Sequence, residues 1–194
     1  MFHPFVIYLS QKGTLTNSEL EHIEQASVQK KLRKGQYLLE EGTVSNFVGF
    51  VVKGSFRLFR VADDGTEHIM KFAIENWWIS DFTSFMSSRP SQCYIEALEN
   101  SELIWFSKEK WEQLLATIPT FKQIIEELTA RNFEAHQNRI FSNISESAEE
   151  RYDNFVRQYP TLYNRVPLYM IASFLGLTRE TLSRVRKQAV KKPA

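Results

Sequence analysis

The stretch PLYMIASFLGLTRETLSRVRK, Pro167–Lys187, governs how the rest of the chain is read. Pro167 suits the first turn of a helix, where its missing N–H costs nothing. Ile171, Ala172 and Leu175 fall on one helical face, and Ala172 is small enough to let a second helix cross closely. Gly176 stands where that helix must stop, because glycine takes up the left-handed conformation of a helix C-terminus without steric cost. Leu177 closes the turn. Thr178 suits the N-cap of a new helix, with Glu180 favourable in its first turn. Leu182 and Val185 then face inward and leave Arg179, Glu180, Ser183, Arg184 and Lys187 on one polar face. The pattern predicts a helix-turn-helix over Leu168–Lys187. Arginine can donate two hydrogen bonds to guanine and glutamate can accept from cytosine, so Arg179, Glu180 and Arg184 suit base edges in a major groove. Thr178, Ser183 and Lys187 suit phosphates, which set register. The competing reading is an αα-hairpin with a solvated charged face.

The 194-residue chain has a formal net charge of +1, unevenly placed. From Gly176 to Ala194 there are six basic residues (Arg179, Arg184, Arg186, Lys187, Lys191, Lys192) against Glu180, which gives +5 locally and −4 elsewhere. A basic end on an otherwise acidic chain suits a nucleic-acid contact, with a solvated tail as the alternative. Hydrophobic residues make up 43% and aromatics 13%, enough for a packed core. Cys93 is the one cysteine, so no intrachain disulfide or CxxC metal site can form, and a reducing, cytoplasmic setting is expected. Residues 1–10 lack the basic flank and apolar length of a signal peptide or membrane span, so no membrane partner is expected.

Upstream, Thr16 and Glu19 have capping-box spacing for a helix carrying Leu20, Ile23 and Ala26 on one face. The runs Tyr37–Glu40, Phe47–Lys53, Ser55–Val61, Glu67–Ala73, Cys93–Leu98 and Glu102–Phe106 are short and rich in aromatic and branched residues. Glycines and Asp-Gly pairs punctuate them, predicting a sandwich or small barrel with a hairpin turn at Asp64-Gly65. After Ser107, a plausible N-cap, the period becomes helical over Lys108–Ala116. Pro119 opens a stretch without glycine or proline to Ser142 or beyond. Phe121, Ile125 and Leu128 form one apolar stripe there, and Ala130, Phe133, Ile140 and Ile144 a second, rotated one. One can pack on the barrel and the other on a partner; the alternative is a core helix of a single chain. Ser147 and Glu150 start a further helix to about Gln158, ended by Pro160. The expected class is α+β in three parts: a β-rich domain over 1–118, a long helix over 119–144 and a helix-turn-helix domain over 145–194.

In this order of parts, and in Thr178-Arg-Glu-Thr-Leu-Ser-Arg184, the chain resembles the catabolite activator and fumarate–nitrate regulator family of bacterial transcription factors. The phrase from Arg165 to Leu177 resembles a Bacteroidetes-type branch of it. The resemblance implies a sensor domain built as a cyclic-nucleotide-binding-type β-barrel (a double-stranded β-helix, or jelly roll) and a long helix that forms a parallel two-fold homodimer. It implies that Arg179, Glu180 and Arg184 read bases in a pseudo-palindromic double-stranded DNA site, with RNA polymerase as a further partner. Two departures stand out. The chain stops seven residues after Lys187, where many members continue into a β-hairpin wing, and Lys191 and Lys192 are left to substitute for it. The family's cyclic-nucleotide binders also carry Gly-Glu-Leu and, ten positions after the Glu, an Arg that pairs with the cyclic phosphate. Aligned on Ile95–Leu98, this chain has Ser80, Asp81 and Phe82 at the start and Ser91 and Gln92 at the Arg position, with Arg89 two residues early. His136 and Gln137 take the base-facing positions on the long helix. The effector pocket of these residues is expected to hold cyclic AMP poorly, or to be filled by side chains such as Trp78 and Phe82, and its effector is not named by the sequence.

No catalytic residues, metal or cofactor are expected. His3, His22, His68 and His136 share no motif spacing with carboxylates or Cys93, and there is no phosphate loop, Gly-x-Ser-x-Gly or HExxH. A second class remains, a ligand-sensing or protein-interaction module whose last helices bind no DNA. The basic outward face of the last helix discriminates against it.

Overall fold

The computed structural model describes residues 2–189. Helices α1 (Phe2–Ser10) and α2 (Asn17–Gln25) come first. The capping box of Thr16 and Glu19 forms at the start of α2. Strands β1 (Val28–Leu32), β2 (Tyr37–Leu39), β3 (Phe47–Lys53), β4 (Phe56–Val61), β5 (Glu67–Ala73) and β6 (Trp78–Ile79) lead to a short helix α3 (Phe82–Ser87). Strands β7 (Tyr94–Ala97) and β8 (Ser101–Ser107) follow, then α4 (Lys108–Thr117), α5 (Pro119–Ser145), α6 (Ala148–Gln158), α7 (Leu168–Phe174) and α8 (Arg179–Ala189). Among the described residues no helix is long and apolar enough to cross a membrane.

The strands form two antiparallel four-stranded sheets, ordered β1-β8-β3-β6 and β2-β7-β4-β5. Strand alternation turns Phe56, Leu58, Ile95 and Ala97 inward to pack with Val51, Ile79 and Leu103 between the sheets. The β4–β5 register shifts between Leu58 and Phe59. That irregularity lets Phe59 join Ile69 and Phe72 in a different cluster, shared with the C-terminal helices. The hairpin at Asp64-Gly65 closes through the Ala62 N–H to the Thr66 carbonyl at 2.9 Å, with Gly65 at φ +82°. The sequence reading did not resolve α1, β1 or α3. In α1, Phe5 and Leu9 are fully buried against Phe50, Phe106 and Phe121.

Helix α5 runs 27 residues from Pro119, about 40 Å. Phe121 and Ile124 are buried against the cluster of α1 and α4, while Ile125 and Leu128 are partly buried, so the inner stripe is wider than expected. Beyond Leu128 the apolar residues lie open: Phe133, Ile140, Phe141 and Ile144 are 65%, 56%, 67% and 81% exposed.

Helices α6–α8 close on Tyr152, Phe155, Met170, Ile171, Leu182 and Val185, a core continuous with Phe59, Ile69 and Phe72 of the sheet. Two polar ties reinforce that junction. The Ser173 hydroxyl accepts the Ile69 N–H and donates to the Glu67 carbonyl, both at 3.0 Å, which satisfies the free edge of β5. Arg165, just before α7, donates to both carboxylate oxygens of Glu75 at 2.7 and 2.9 Å and also to Glu99. Glu75 also accepts the Gly54 N–H at 2.7 Å, and Glu99 the Ser55 hydroxyl at 2.6 Å.

Candidate nucleic-acid interface and the α3 cassette of the β-rich domain

The helix-turn-helix is built by local signals. Gly176 sits at φ +64°; its N–H reaches the Ser173 carbonyl at 3.2 Å and the Leu177 N–H reaches that of Ala172 at 2.9 Å. This Schellman closure satisfies the last carbonyls of α7, and Arg151 adds a donor to the Leu175 carbonyl at 2.8 Å. The Thr178 hydroxyl accepts the Thr181 N–H at 3.1 Å and so caps α8. Leu182 and Val185, 0% and 2% exposed, anchor α8 in its core. Thr178, Arg179, Glu180, Arg184 and Lys187 are exposed and Ser183 partly so. Glu180, Ser183, Arg184, Lys187 and Gln188 line one shallow groove along the helix. The sequence reading missed Gln188, although its spacing of four from Arg184 places it on that face. Arg186 turns away, its guanidinium 5.0 Å from the centre of the Tyr163 ring. Among the described residues no carboxylate lies within 4 Å of the charged ends of Arg179, Arg184 or Lys187, so their donors stay available. Lys191 and Lys192 lie outside the described residues.

In the β-rich domain the structure brings Ser80, Asp81 and Ser91 together. The Asp81 carboxylate caps α3, accepting the N–H groups of Thr83 at 3.1 Å and Ser84 at 3.3 Å, and its other oxygen accepts the Ser91 hydroxyl at 2.7 Å. Ser91 itself accepts the Cys93 N–H at 2.9 Å. Ser80 donates to the Phe47 carbonyl at 2.8 Å and lies 3.3 Å from the Ser45 hydroxyl. The amides at the start of α3, a natural seat for an external anion, are therefore occupied by the chain's own carboxylate.

Phe82 is 55% exposed and stacks on Phe85, while Trp78 packs into the α1 cluster. Neither fills a pocket beside Asp81. Arg89 and Gln92 are exposed, and their side chains make no hydrogen bond to the Asp81 network. A different guanidinium does approach: Arg60 of β4 places Nε 3.5 Å from the Cys93 sulfur, whose thiol burial pushes up from its ordinary pKa. His136 and Gln137 are exposed on α5, outside this cluster.

Residues 29–118 match the family model of the cyclic nucleotide-binding domain. Over 184 residues the chain is 27% identical to a fumarate and nitrate reduction regulatory protein of Vibrio cholerae, covering 89% of this chain and 73% of that protein. It is 24% identical over 185 residues to a probable transcriptional activator of Rhizobium leguminosarum, covering 89% and 75%. The structure of FixK2 from Bradyrhizobium japonicum has the same fold, with a TM-score of 0.73 at 19% identity over 84% of both chains.

Proposed function

We propose that the chain is a member of the catabolite activator and fumarate–nitrate regulator family, with a cyclic nucleotide-binding domain ahead of a helix-turn-helix, and that it is a homodimeric, sequence-specific, DNA-binding transcription regulator of the cytoplasm. The observation that carries this reading is the outer face of α8. It presents Arg179, Arg184 and Lys187, with no carboxylate partner among the described residues, on a helix whose inner face is locked into a core. In the proposed division, residues 1–118 sense, 119–144 dimerise and 145–194 bind DNA. Four large apolar side chains left open between Phe133 and Ile144 support pairing of two α5 helices. A two-fold dimer then meets a pseudo-palindrome with half-sites about 34 Å apart, and a bound dimer engages RNA polymerase. The phrase Arg165–Leu177 supports a Bacteroidetes-type branch. The sensor pocket is altered: Asp81 and Ser91 occupy the anion seat, which argues for an effector other than cyclic AMP.

Binding-site selection with purified protein tests the assignment. Arg179→Ala and Arg184→Ala should each cost roughly 1–3 kcal/mol and relax preference for guanine within each half-site. Lys187→Ala should weaken all sequences alike and flatten the salt dependence. Wild-type selectivity in both arginine variants would overturn the role given to α8.

A further inference from the structure

Three cations of this chain can be compared by their partners. Arg57 is buried and held between Glu67 and Glu96. Arg165 is held between Glu75 and Glu99. Lys71 has no such partner among the described residues. Strand β5 places it opposite Leu58, an inward residue, and its ammonium donates to the Trp78 carbonyl at 2.9 Å. The ammonium end is enclosed, and burial alone pushes its pKa down from 10.5 to about 8.

Two further basic side chains, Arg139 and His136, lie nearby on α5. Arg139 donates to the Met70 carbonyl at 2.7 Å and lies over the Phe174 ring at 4.7 Å. His136, one turn earlier, is lowered by burial and then by the charges of Arg139 and Lys71. The remaining titratable neighbour is the Tyr159 phenol of α6, itself raised by burial. Further along the seam, Arg131 faces the Tyr8 phenol of α1. Among the described residues no carboxylate lies within 4 Å of the charged ends of Lys71, His136 or Arg139. Basic groups gathered without a counter-charge in a medium less polar than water attract an entering anion together.

We propose that the seam between β5 and α5 is a binding site for a compact oxyanion, a phosphate or small carboxylate group, held by Lys71, His136 and Arg139. This rests on the reading of residues 1–118 as a sensor. The position gives the ligand a mechanical role. Strand β5 also carries the Ile69 N–H and Glu67 carbonyl that hold Ser173 of the helix-turn-helix, so an anion tying β5 to α5 bears on both the dimer helix and the DNA-binding helices. Occupancy also returns protons to Lys71 and His136, so binding takes up protons and weakens as pH rises past the lysine's value of about 8.

Calorimetry and thermal melts of the full chain, with sodium phosphate and with sodium succinate against sodium chloride at matched ionic strength, test the site. At least one oxyanion should bind with a dissociation constant below about 1 mM and raise the melting temperature beyond chloride. The pair of salts separates a phosphate site from a carboxylate site. Lys71→Met and Arg139→Gln should each weaken binding about tenfold or more, and heats measured in buffers of different ionisation enthalpy should report proton uptake. Melting shifts no larger than with chloride, or unchanged affinity in Lys71→Met, overturn the proposal. Neither oxyanion binding while Lys71→Met melts higher would show a lysine merely buried and neutralised. These titrations read the oxyanion and not an operator, so their outcome is independent of the binding-site selection above.

Discussion

Removing Arg165 should loosen the helix-turn-helix from the sheet without unfolding either. The side chain is 26% exposed, and its partners Glu75 and Glu99 are 36% and 41% exposed, so solvent screens the pairs. A single exposed pair contributes about 0.2–1 kcal/mol, but a bidentate grip shared by two carboxylates is stronger than that. Truncation also leaves Glu75 and Glu99 facing each other without a cation. Together these put Arg165→Ala at about 2 kcal/mol near neutral pH. Arg165→Lys should recover less than half, because an ammonium cannot span two oxygens of one carboxylate and reach a second. The pH dependence has a definite sign. Burial pushes Glu75 up, but hydrogen bonds, first from Arg165 and then from backbone N–H groups including that of Gly54, outweigh it, so the net pKa lies below the ordinary 4.5. The pairing therefore stabilises above about pH 4.5 and is lost as pH falls through the depressed value, so wild type and Arg165→Ala should converge in acid. Urea unfolding followed by tryptophan fluorescence reads the junction directly, since Trp77 packs edge-on against Tyr159 at 5.5 Å. The variant should unfold in two steps, the C-terminal helices first. A single transition within about 0.5 kcal/mol of wild type would refute this account of the junction.

Two further outcomes are expected. Ile140→Glu combined with Ile144→Glu, at positions 56% and 81% exposed, should leave the circular dichroism unchanged and yield a monomer by light scattering; a strictly monomeric wild type at micromolar concentration would sink the dimer proposal. Calorimetric titration with cyclic AMP should show no tight binding, because losing a charge-assisted phosphate pair costs on the order of 2–5 kcal/mol, enough to turn micromolar affinity into about millimolar. A dissociation constant at or below about 10 μM would mean that Arg60 or Arg89 has taken the missing role.

What the sequence determined by itself is what short-range chemistry controls. The capping boxes at Thr16 and Ser147, the glycine stop at Gly176 and the threonine cap of α8 each need partners within a few residues, and all form as their spacing predicts. The outward face of α8 follows from helical period alone, and so does the open stripe of α5. The β-rich domain was less legible because its features join distant segments. Nothing local to Asp81 says that its carboxylate will meet Ser91, and nothing local to Arg165 names Glu75, which lies 90 residues away. Nothing local to Ser173 in α7 points to the edge of β5, 104 residues distant. Lys71 shows the limit most clearly. It stands in the alternating run Glu67–Ala73 like any strand lysine, and whether its ammonium reaches water depends on which side of β5 the register at Leu58 assigns to it and on where α5 then lies. Burial, and with it charge, pKa and affinity for a ligand, is a property of the packed chain, because desolvation is set by every neighbour the fold brings and not by the residues adjacent in sequence.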